Sequence, residues 1–190
     1  LYARFWHKIL FDLGEVSTPE PFRRLFHQGM ITSWAYQRQD KSLVPIDQVE
    51  ERDGAHVEKG TDDRVTQTIA KMSKSLRNVI NPDGVIAEYG ADTMRLYEMY
   101  MGPLEASKPW NTRDIAGVFR FLQRAWRLAI DERSGELLLA AKEDPALERR
   151  LHRTIARVAA DTERLAFNTA IAALIELVNA ATRPTEMSDP

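Results

Sequence analysis

From residue 81 onward the chain reads as one capped helix after another, and this succession limits its C-terminal part to an α-helical architecture. Asp83 is placed to cap "GVIAEY", Gly90 closes that segment, and Asp92 is placed to cap "TMRLYEMYM" before Gly102-Pro103 stops it. In the longer run "PWNTRDIAGVFRFLQRAWRLAI", Ile115, Val118, Phe119, Leu122 and Trp126 share one apolar stripe at helical spacing. Arg120, Arg124 and Arg127 fall on the opposite side, and Trp110 and Trp126 read as packing residues. Residues 132–142 read as a connection. Asp144-Pro145 then opens a helix through Leu147, Leu151, Ile155, Val158 and Leu165, and Asn168 is placed to cap a last one through Ile171, Leu174, Ile175 and Val178, stopping before Pro184. Together these segments predict part of an α-helical bundle.

The N-terminal part is more mixed. "LYARFWHKILFDLG" carries Leu1, Phe5, Trp6, Ile9 and Leu13 at helical spacing and predicts a core-facing helix closed by Gly14. "PEPFRRLFHQG" reads as a second helix ending at Gly29, and "MITSWAY" reads as a strand. Residues 38–64 hold five Lys/Arg against eight Asp/Glu, a local balance of −3, and predict a small unit of short strands with a hairpin near Asp53-Gly54.

Composition removes several classes of function. With 190 residues and 44% hydrophobic content the chain can bury a core. Its net charge is −2, so any contact with nucleic acid must come from a local basic face. There is no cysteine, and the four histidines are scattered, which excludes disulfide frameworks and thiolate zinc sites. His7 and His152 read as ordinary surface or satisfied histidines. No apolar run is long enough to predict a membrane span, and the absence of an initiator methionine suggests an excised piece.

Between the acidic unit and the helices lies "IAKMSKSLRNVINPDG". A solvated turn is the bland reading of "KMSKS", yet at average residue usage the pentamer arises by chance on the order of once in ten thousand chains of this length. Two ammonium groups on a mobile loop can follow charge onto a departing pyrophosphate, with serines and backbone amides adding hydrogen bonds to phosphate oxygens. Met72, between the lysines, is placed to anchor the loop in an apolar slot.

"KMSKS" followed by "NVINPDGVIAEYGADTMRLYEMYMGPLEASKPWNT" resembles the signature loop and adjoining helices of class I aminoacyl-tRNA synthetases, the leucyl enzymes in particular. "LYARFWHKILFDLG", "LFHQGM", "RFLQRAWRL" and "LHRTIARVAADTERLAFNTAIAALIELVN" are also similar to leucyl segments, in the family's order. Residues 38–64 sit where bacterial leucyl enzymes carry a leucine-specific insertion. One departure is Leu76-Arg77, where many class I enzymes have a glycine before the asparagine.

The resemblance implies a mainly α fold: the remnant of a class I catalytic domain with a small β-rich insertion, then part of a helical bundle. It divides the chain into residues 1–37 (end of a catalytic-domain segment), 38–66 (insertion), 67–112 (signature loop and connecting helices) and 113–190 (partial tRNA-binding bundle). It implies a cytoplasmic parent enzyme that activates leucine with ATP and Mg2+ and transfers it to tRNA(Leu), without membrane association. In that scheme Lys71 and Lys74 are catalytic, and Lys71, Met72, Ser73, Lys74 and Ser75 bind ATP. Arg120, Arg124 and Arg127 contact tRNA, with Arg113 and Lys108 as weaker candidates. Arg95 reads first as a clamp to Asp92 or Glu98 and second as a tRNA contact. The family's histidine-bearing nucleotide motif, leucine pocket and editing domain lie upstream of the matching region. The chain alone is therefore expected to be inactive, to bind no metal, and to risk self-association through bared apolar surface. The rival readings are a non-catalytic helical module for tRNA or an anion, and a methionyl, isoleucyl or valyl enzyme.

Overall fold

The computed structural model describes residues 1–138 and 144–182. Its first half is organised on β1 (Ile31–Gln37), whose β-branched and aromatic residues suit a pleated, half-buried surface. β5 (Thr66–Lys71) runs antiparallel along one edge of β1, from Gln37 opposite Thr66 to Thr32 opposite Lys71. On the other edge, β2 (Leu43–Val44) pairs antiparallel at Tyr36 and β6 (Lys108–Pro109) pairs parallel at Thr32. The hairpin expected near Asp53-Gly54 joins β3 (Val49–Arg52) to β4 (Ala55–Glu58), with φ of 50° and 73° at its two turn residues. Two successive positive φ angles give the turn whose twist matches its strands. Paired hydrogen bonds of 2.7 and 2.5 Å from Arg38 to the Glu58 carboxylate tie this hairpin to the end of β1. Although β2 lies within residues 38–66, it pairs with the main sheet.

Two N-terminal expectations are corrected. α1 (Tyr2–Asp12) forms, but it buries no residue, and Phe5 and Trp6 are each 61% exposed. Polar bonds hold it instead: Arg4 donates twice to Glu20 at 2.7 Å, and Lys8 lies 2.9 Å from the same carboxylate. Those donors, Arg4 first, bring the Glu20 carboxyl down to about 2. Periodicity marks the apolar face of a helix without supplying anything to cover it. The segment "PEPFRRLFHQG" forms no helix. Gly29 N–H donates to the Leu104 carbonyl at 2.9 Å, Met30 N–H to Ser107 Oγ at 3.1 Å, and Lys108 N–H to the Met30 carbonyl at 3.0 Å. These bonds between distant segments hold the chain extended, and a Cβ on Gly29 would lie 2.3 Å from the Ala106 carbonyl.

The helices follow as α2 (Pro82–Tyr89), α3 (Ala91–Tyr100), α4 (Thr112–Ala129), α5 (Pro145–Glu163) and α6 (Phe167–Thr182). Asp144 caps α5 as expected, its Oδ1 accepting from Ala146 and Leu147. Elsewhere the caps shift by one or two residues. Asn81 and not Asp83 caps α2, because Pro82, with no N–H to satisfy, takes the first helical position. α3 starts directly from Gly90, leaving Asp92 in its first turn without a capping bond. Asn111 caps α4. α5 ends at Glu163, Leu165 turns left-handed with φ 62°, and Asn168 lies inside α6. The stop expected before Pro184, and the connection from residue 139 to 142, lie outside the described residues.

Val85, Tyr97, Trp110, Ile115 and Val118 form the core beneath the sheet's end. Tyr97 meets Trp110 edge-on, with ring centroids 5.1 Å apart, and its hydroxyl donates to the Asn111 carbonyl at 2.8 Å. The covered face of α4 runs through Ile115, Val118 and Phe121; Trp126 shares the azimuth of Ile115 but lies about three turns further along, in the last turn of the helix, where it stands 59% exposed and is not a packing residue. On α5 the expected stripe is likewise half bare: Leu151 and Ile155 are exposed, while Thr154 and Asp161 are buried.

Asp161, 1% exposed, organises the corner between α5 and α6. Thr169 Oγ1 donates to its carboxylate at 2.6 Å, Arg164 donates to the other oxygen, and Ala166 N–H donates to its backbone carbonyl at 2.7 Å. The Thr169 hydrogen bond above all holds the Asp161 carboxyl below its ordinary value. A carboxyl lowered in this way stabilises the fold above its unfolded pKa, about 3.9, and ceases to as pH falls through the folded value. We expect Asp161→Asn to melt several degrees below the parent chain near pH 7, with the gap closing as pH drops below about 4. Thermal unfolding followed by circular dichroism across that range checks this; a gap independent of pH would show that the charge contributes nothing.

Candidate functional site

The strand register places the site. β5 ends at Lys71, opposite Thr32, and the next residue, Met72, packs into the core formed by Val85, Tyr97, Trp110, Ile115 and Val118. The side chain between the two lysines is thus the loop's apolar anchor. After it the backbone closes on itself. Ser73 Oγ lies 3.1 Å from Ser75 Oγ and accepts from Leu76 N–H at 3.2 Å, while Arg77 N–H donates to the Lys74 carbonyl at 3.2 Å. Lys71, Lys74 and Ser75 are exposed, and neither lysine ammonium has a hydrogen-bond or ion-pair partner among the described residues.

Sequence reasoning assigned no role to the residue that fixes this turn. Asn78 is fully buried; its Oδ1 accepts from Ser73 N–H at 2.9 Å and its Nδ2 donates to the Lys71 carbonyl at 3.3 Å. One amide therefore closes the backbone on both sides of Met72. The signal in the sequence was the first of two asparagines in "NVINPDG", and nothing local says that it is buried. Arg77 before it has φ 51°, a left-handed conformation that costs a non-glycine residue about 1–2 kcal/mol. This is the position where many class I enzymes have glycine, and the backbone angle gives the reason. The Arg77 carbonyl accepts from Ile46 N–H at 3.2 Å, linking the turn to the segment before the hairpin.

The basic residues separate into groups. Arg120, Arg124 and Arg127 do share one face, lining with Gly117 and Gln123 an open hollow of about 600 Å³. Within it Arg124 is half-buried and donates to Asn179 Oδ1 of α6 at 2.8 Å, and Arg127 lies 3.0 Å from Glu132. Arg120 is exposed and carries no such partner among the described residues. Arg113 sits apart at the start of α4, 3.5 Å from Glu51 of β3. Lys108 lines a different hollow with Tyr97, Tyr100 and Asp114 and donates to the Gly102 carbonyl at 2.8 Å; burial pushes its ammonium below the ordinary lysine range.

The expected Arg95 clamp is not formed: no ion pair to Asp92 or Glu98 lies within 4 Å among the described residues. An exposed arginine gains little from such a pair against the entropy of fixing its side chain. Arg95 instead lies with those two acids at the wall of a hollow of about 700 Å³ lined by α3, α4, α5 and α6. His7 is satisfied, with Nε2 2.7 Å from the Thr18 carbonyl. Among the described residues no group of three or more His, Asp or Glu side chains is arranged to hold a metal ion.

Comparison with known proteins bears on the same residues. The family model for "tRNA synthetases class I (I, L, M and V)" matches residues 65–108, which contain β5, the loop, Asn78, α2 and α3. A leucine–tRNA ligase of Borreliella burgdorferi (strain ZS7) is 55% identical over 181 residues, covering 94% of this chain and 21% of that protein. Another, of Salinispora arenicola (strain CNS-205), is 53% identical over 195 residues, covering 100% of this chain and 20% of its own length. Among solved structures, a LeuRS from Agrobacterium radiobacter K84, in a ternary complex with tRNA and LeuAMS, matches with a TM-score of 0.60 and 29% identity, covering 94% of this chain and 20% of that one. The chain thus spans about a fifth of the length of the curated relatives it matches.

The Asn78 amide generates a direct test. Asn78→Ala leaves the Ser73 N–H without its acceptor, a loss of about 1–3 kcal/mol for a buried polar group. Amide hydrogen exchange should show protection at Ser73, Leu76 and Arg77 falling by about one to two decades while β1 and β5 keep theirs. Unchanged protection in the loop would mean that Asn78 does not hold it.

Proposed function

We propose, for a chain that belongs to the leucine–tRNA ligase family of class I tRNA synthetases, that it carries the phosphate-handling loop of leucine activation and the start of a tRNA-binding bundle. The observation that carries this reading is the turn from Ser73 to Asn78, held by the N–H groups of Ser73, Leu76 and Arg77 and by the two serines, while the exposed Lys71 and Lys74 ammonium groups have no partner among the described residues. Fixed cations beside a neutral frame suit charge that develops on a leaving group. In this reading the leucine carboxylate attacks the α-phosphorus of ATP, the bond to pyrophosphate breaks, and Lys74, helped by Lys71, stabilises the negative charge left on the departing phosphates. Ser73 and Ser75 hold the turn, and Met72 anchors it. Magnesium, in this reading, enters with the nucleotide phosphates.

Identity of 52–55% to leucine–tRNA ligases favours leucine over methionine, isoleucine or valine. The division into residues 1–37, 38–66, 67–112 and 113–190 is supported by the β1–β5 pairing, which joins the first part to the third around the insertion. The A. radiobacter LeuRS is bound to tRNA, and in this reading α4 supplies the contacting face here: Arg120, without a partner among the described residues, Arg124 and Arg127 beside it, Arg113 and Lys108 as lesser contributors because each is already engaged. Such contacts position the backbone and carry no sequence information. A cytoplasmic setting, the inactivity of the chain by itself, and self-association through the exposed face of α1 complete the proposal.

In the whole enzyme, Lys74→Ala should slow leucine-dependent pyrophosphate exchange by about 100- to 1,000-fold while leaving leucine binding nearly unchanged. An unaltered exchange rate refutes the role, and measurable exchange by the 190-residue chain alone refutes its inactivity. For α4, Arg120→Ala should lower the slope of log affinity for tRNA against log salt by about one unit; a parent-like slope would mean that this arginine is simply solvated.

A further inference from the structure

We propose that the hollow where α3, α4, α5 and α6 meet binds a small apolar molecule with a zwitterionic head, of the chemical class of the large aliphatic and aromatic α-amino acids. The hollow holds about 700 Å³ and is open to solvent. Sites for small molecules are typically of about 300–1,000 Å³, walled by apolar side chains with a few placed polar groups. Leu96 and Met99 of α3, Leu122 of α4, Val158 of α5, and Phe167 and Ile171 of α6 supply such a wall. The helices that carry it are tied together without a ligand: Thr169 Oγ1 donates to Asp161 at 2.6 Å between α6 and α5, and Arg124 donates to Asn179 at 2.8 Å between α4 and α6. Apolar surface facing water in a fixed concavity gains free energy when an apolar group displaces that water.

The head group is read from α3. Asp92, Arg95 and Glu98 line the same hollow at positions i, i+3 and i+6, so one acid stands on each side of the arginine, about 4.5 Å of helix rise away. None of the three has an ion-pair partner within 4 Å among the described residues. Elsewhere the chain closes such pairs, Arg4 on Glu20 at 2.7 Å and Arg127 on Glu132 at 3.0 Å. A cation set between two anions that it does not meet leaves room for one head group carrying both charges. Its carboxylate takes the planar fork of Arg95, which suits a carboxylate by two parallel hydrogen bonds, and its ammonium takes Asp92 or Glu98. Held there, the ligand points its apolar body along the wall of Leu96, Met99 and Ile171. A purely apolar molecule would leave all three charges unused, a simple amine would meet Arg95 as a like charge, and a simple carboxylate would meet two acids. Neither the lysine–serine loop nor the arginines of α4 belong to this hollow, so it stands or falls apart from the preceding reading.

Isothermal titration calorimetry of this 190-residue chain with L-phenylalanine tests the site. Phenylethylamine serves as the probe without the carboxylate, phenylpropionate as the probe without the ammonium, and L-alanine as the probe without the apolar body. L-Phenylalanine should saturate the chain with a Kd of about 1 mM or below and a negative heat-capacity change, and each of the other three should bind at least about fivefold more weakly. Arg95→Ala should weaken L-phenylalanine by about five- to tenfold and leave phenylethylamine no weaker, because the arginine acts through the carboxylate alone. Leu122→Trp, which fills the hollow, should abolish binding; thermal unfolding confirms the fold of each variant, and Val158→Trp takes its place where Leu122→Trp does not fold. Equal binding of the three phenyl probes overturns the proposal, as does a parent-like affinity in Arg95→Ala or the absence of saturation by about 10 mM L-phenylalanine. The Arg95 dependence should persist in the whole enzyme; its loss there would assign the hollow to a packed segment of the longer protein and overturn the proposal as well.

Discussion

Thr32 is paired on both sides at once. On one edge of β1 it faces Lys71, on the other Pro109, and its carbonyl accepts from Trp110 N–H at 2.8 Å. One strand end therefore fixes both the point where the lysine–serine loop leaves the sheet and the point where the chain turns into α4. Because side chains alternate along a strand, a one-residue slip of β5 would turn Lys71 to the opposite face and carry Met72 out of the core. The backbone hydrogen bonds from Gly29 and Met30 to residues 104 and 107 reinforce the same junction. The lysine–serine loop and the helical bundle thus share a single mechanical reference.

From that reference the loop is built by separating its neutral and charged parts. Asn78 spends both ends of its amide on backbone groups flanking Met72, which makes its burial favourable, since an amide buried without partners is costly. The two serines satisfy each other and one further N–H. Among the described residues the Lys71 and Lys74 ammonium groups have no partner, and both lysines are exposed. Arg77 belongs to the same economy of geometry: its left-handed φ is tolerated because the bonds to Lys74 and Ile46 over-determine it.

What could be read in advance was whatever a few neighbouring residues decide. Asp53-Gly54 specifies its own hairpin because both residues accept positive φ, and Asp144-Pro145 specifies its own helix start. The lysine–serine pentamer was legible because its chemistry is carried by residue types at fixed spacing. Cap positions slipped where two candidates competed: Asn81 displaced Asp83 because proline prefers the first helical position. The segment before Gly29 was misread because its helical pattern is outweighed by hydrogen bonds to residues more than 70 positions away. Asn78 was not legible at all, since an asparagine's burial is decided by what folds around it. The arginines of α4 were visible as a face, but their partners, Asn179 and Glu132, were not.

The contact between α5 and α6 shows why so polar an interface belongs in this bundle. An apolar seam between two helices tolerates sliding, because one leucine packs much like another. Asp161 does not tolerate it: nearly fully buried, its carboxylate must meet Thr169 and Arg164, and shifting α6 by one turn would strand a charge away from water. The Arg124–Asn179 bond applies the same condition between α4 and α6. Leu151 and Ile155 remain exposed while these polar contacts are buried, so register is set by hydrogen bonds more than by apolar area. A bundle held in register this way keeps α4, α5 and α6 in one alignment, so the side chains that its outer faces present keep a fixed spacing.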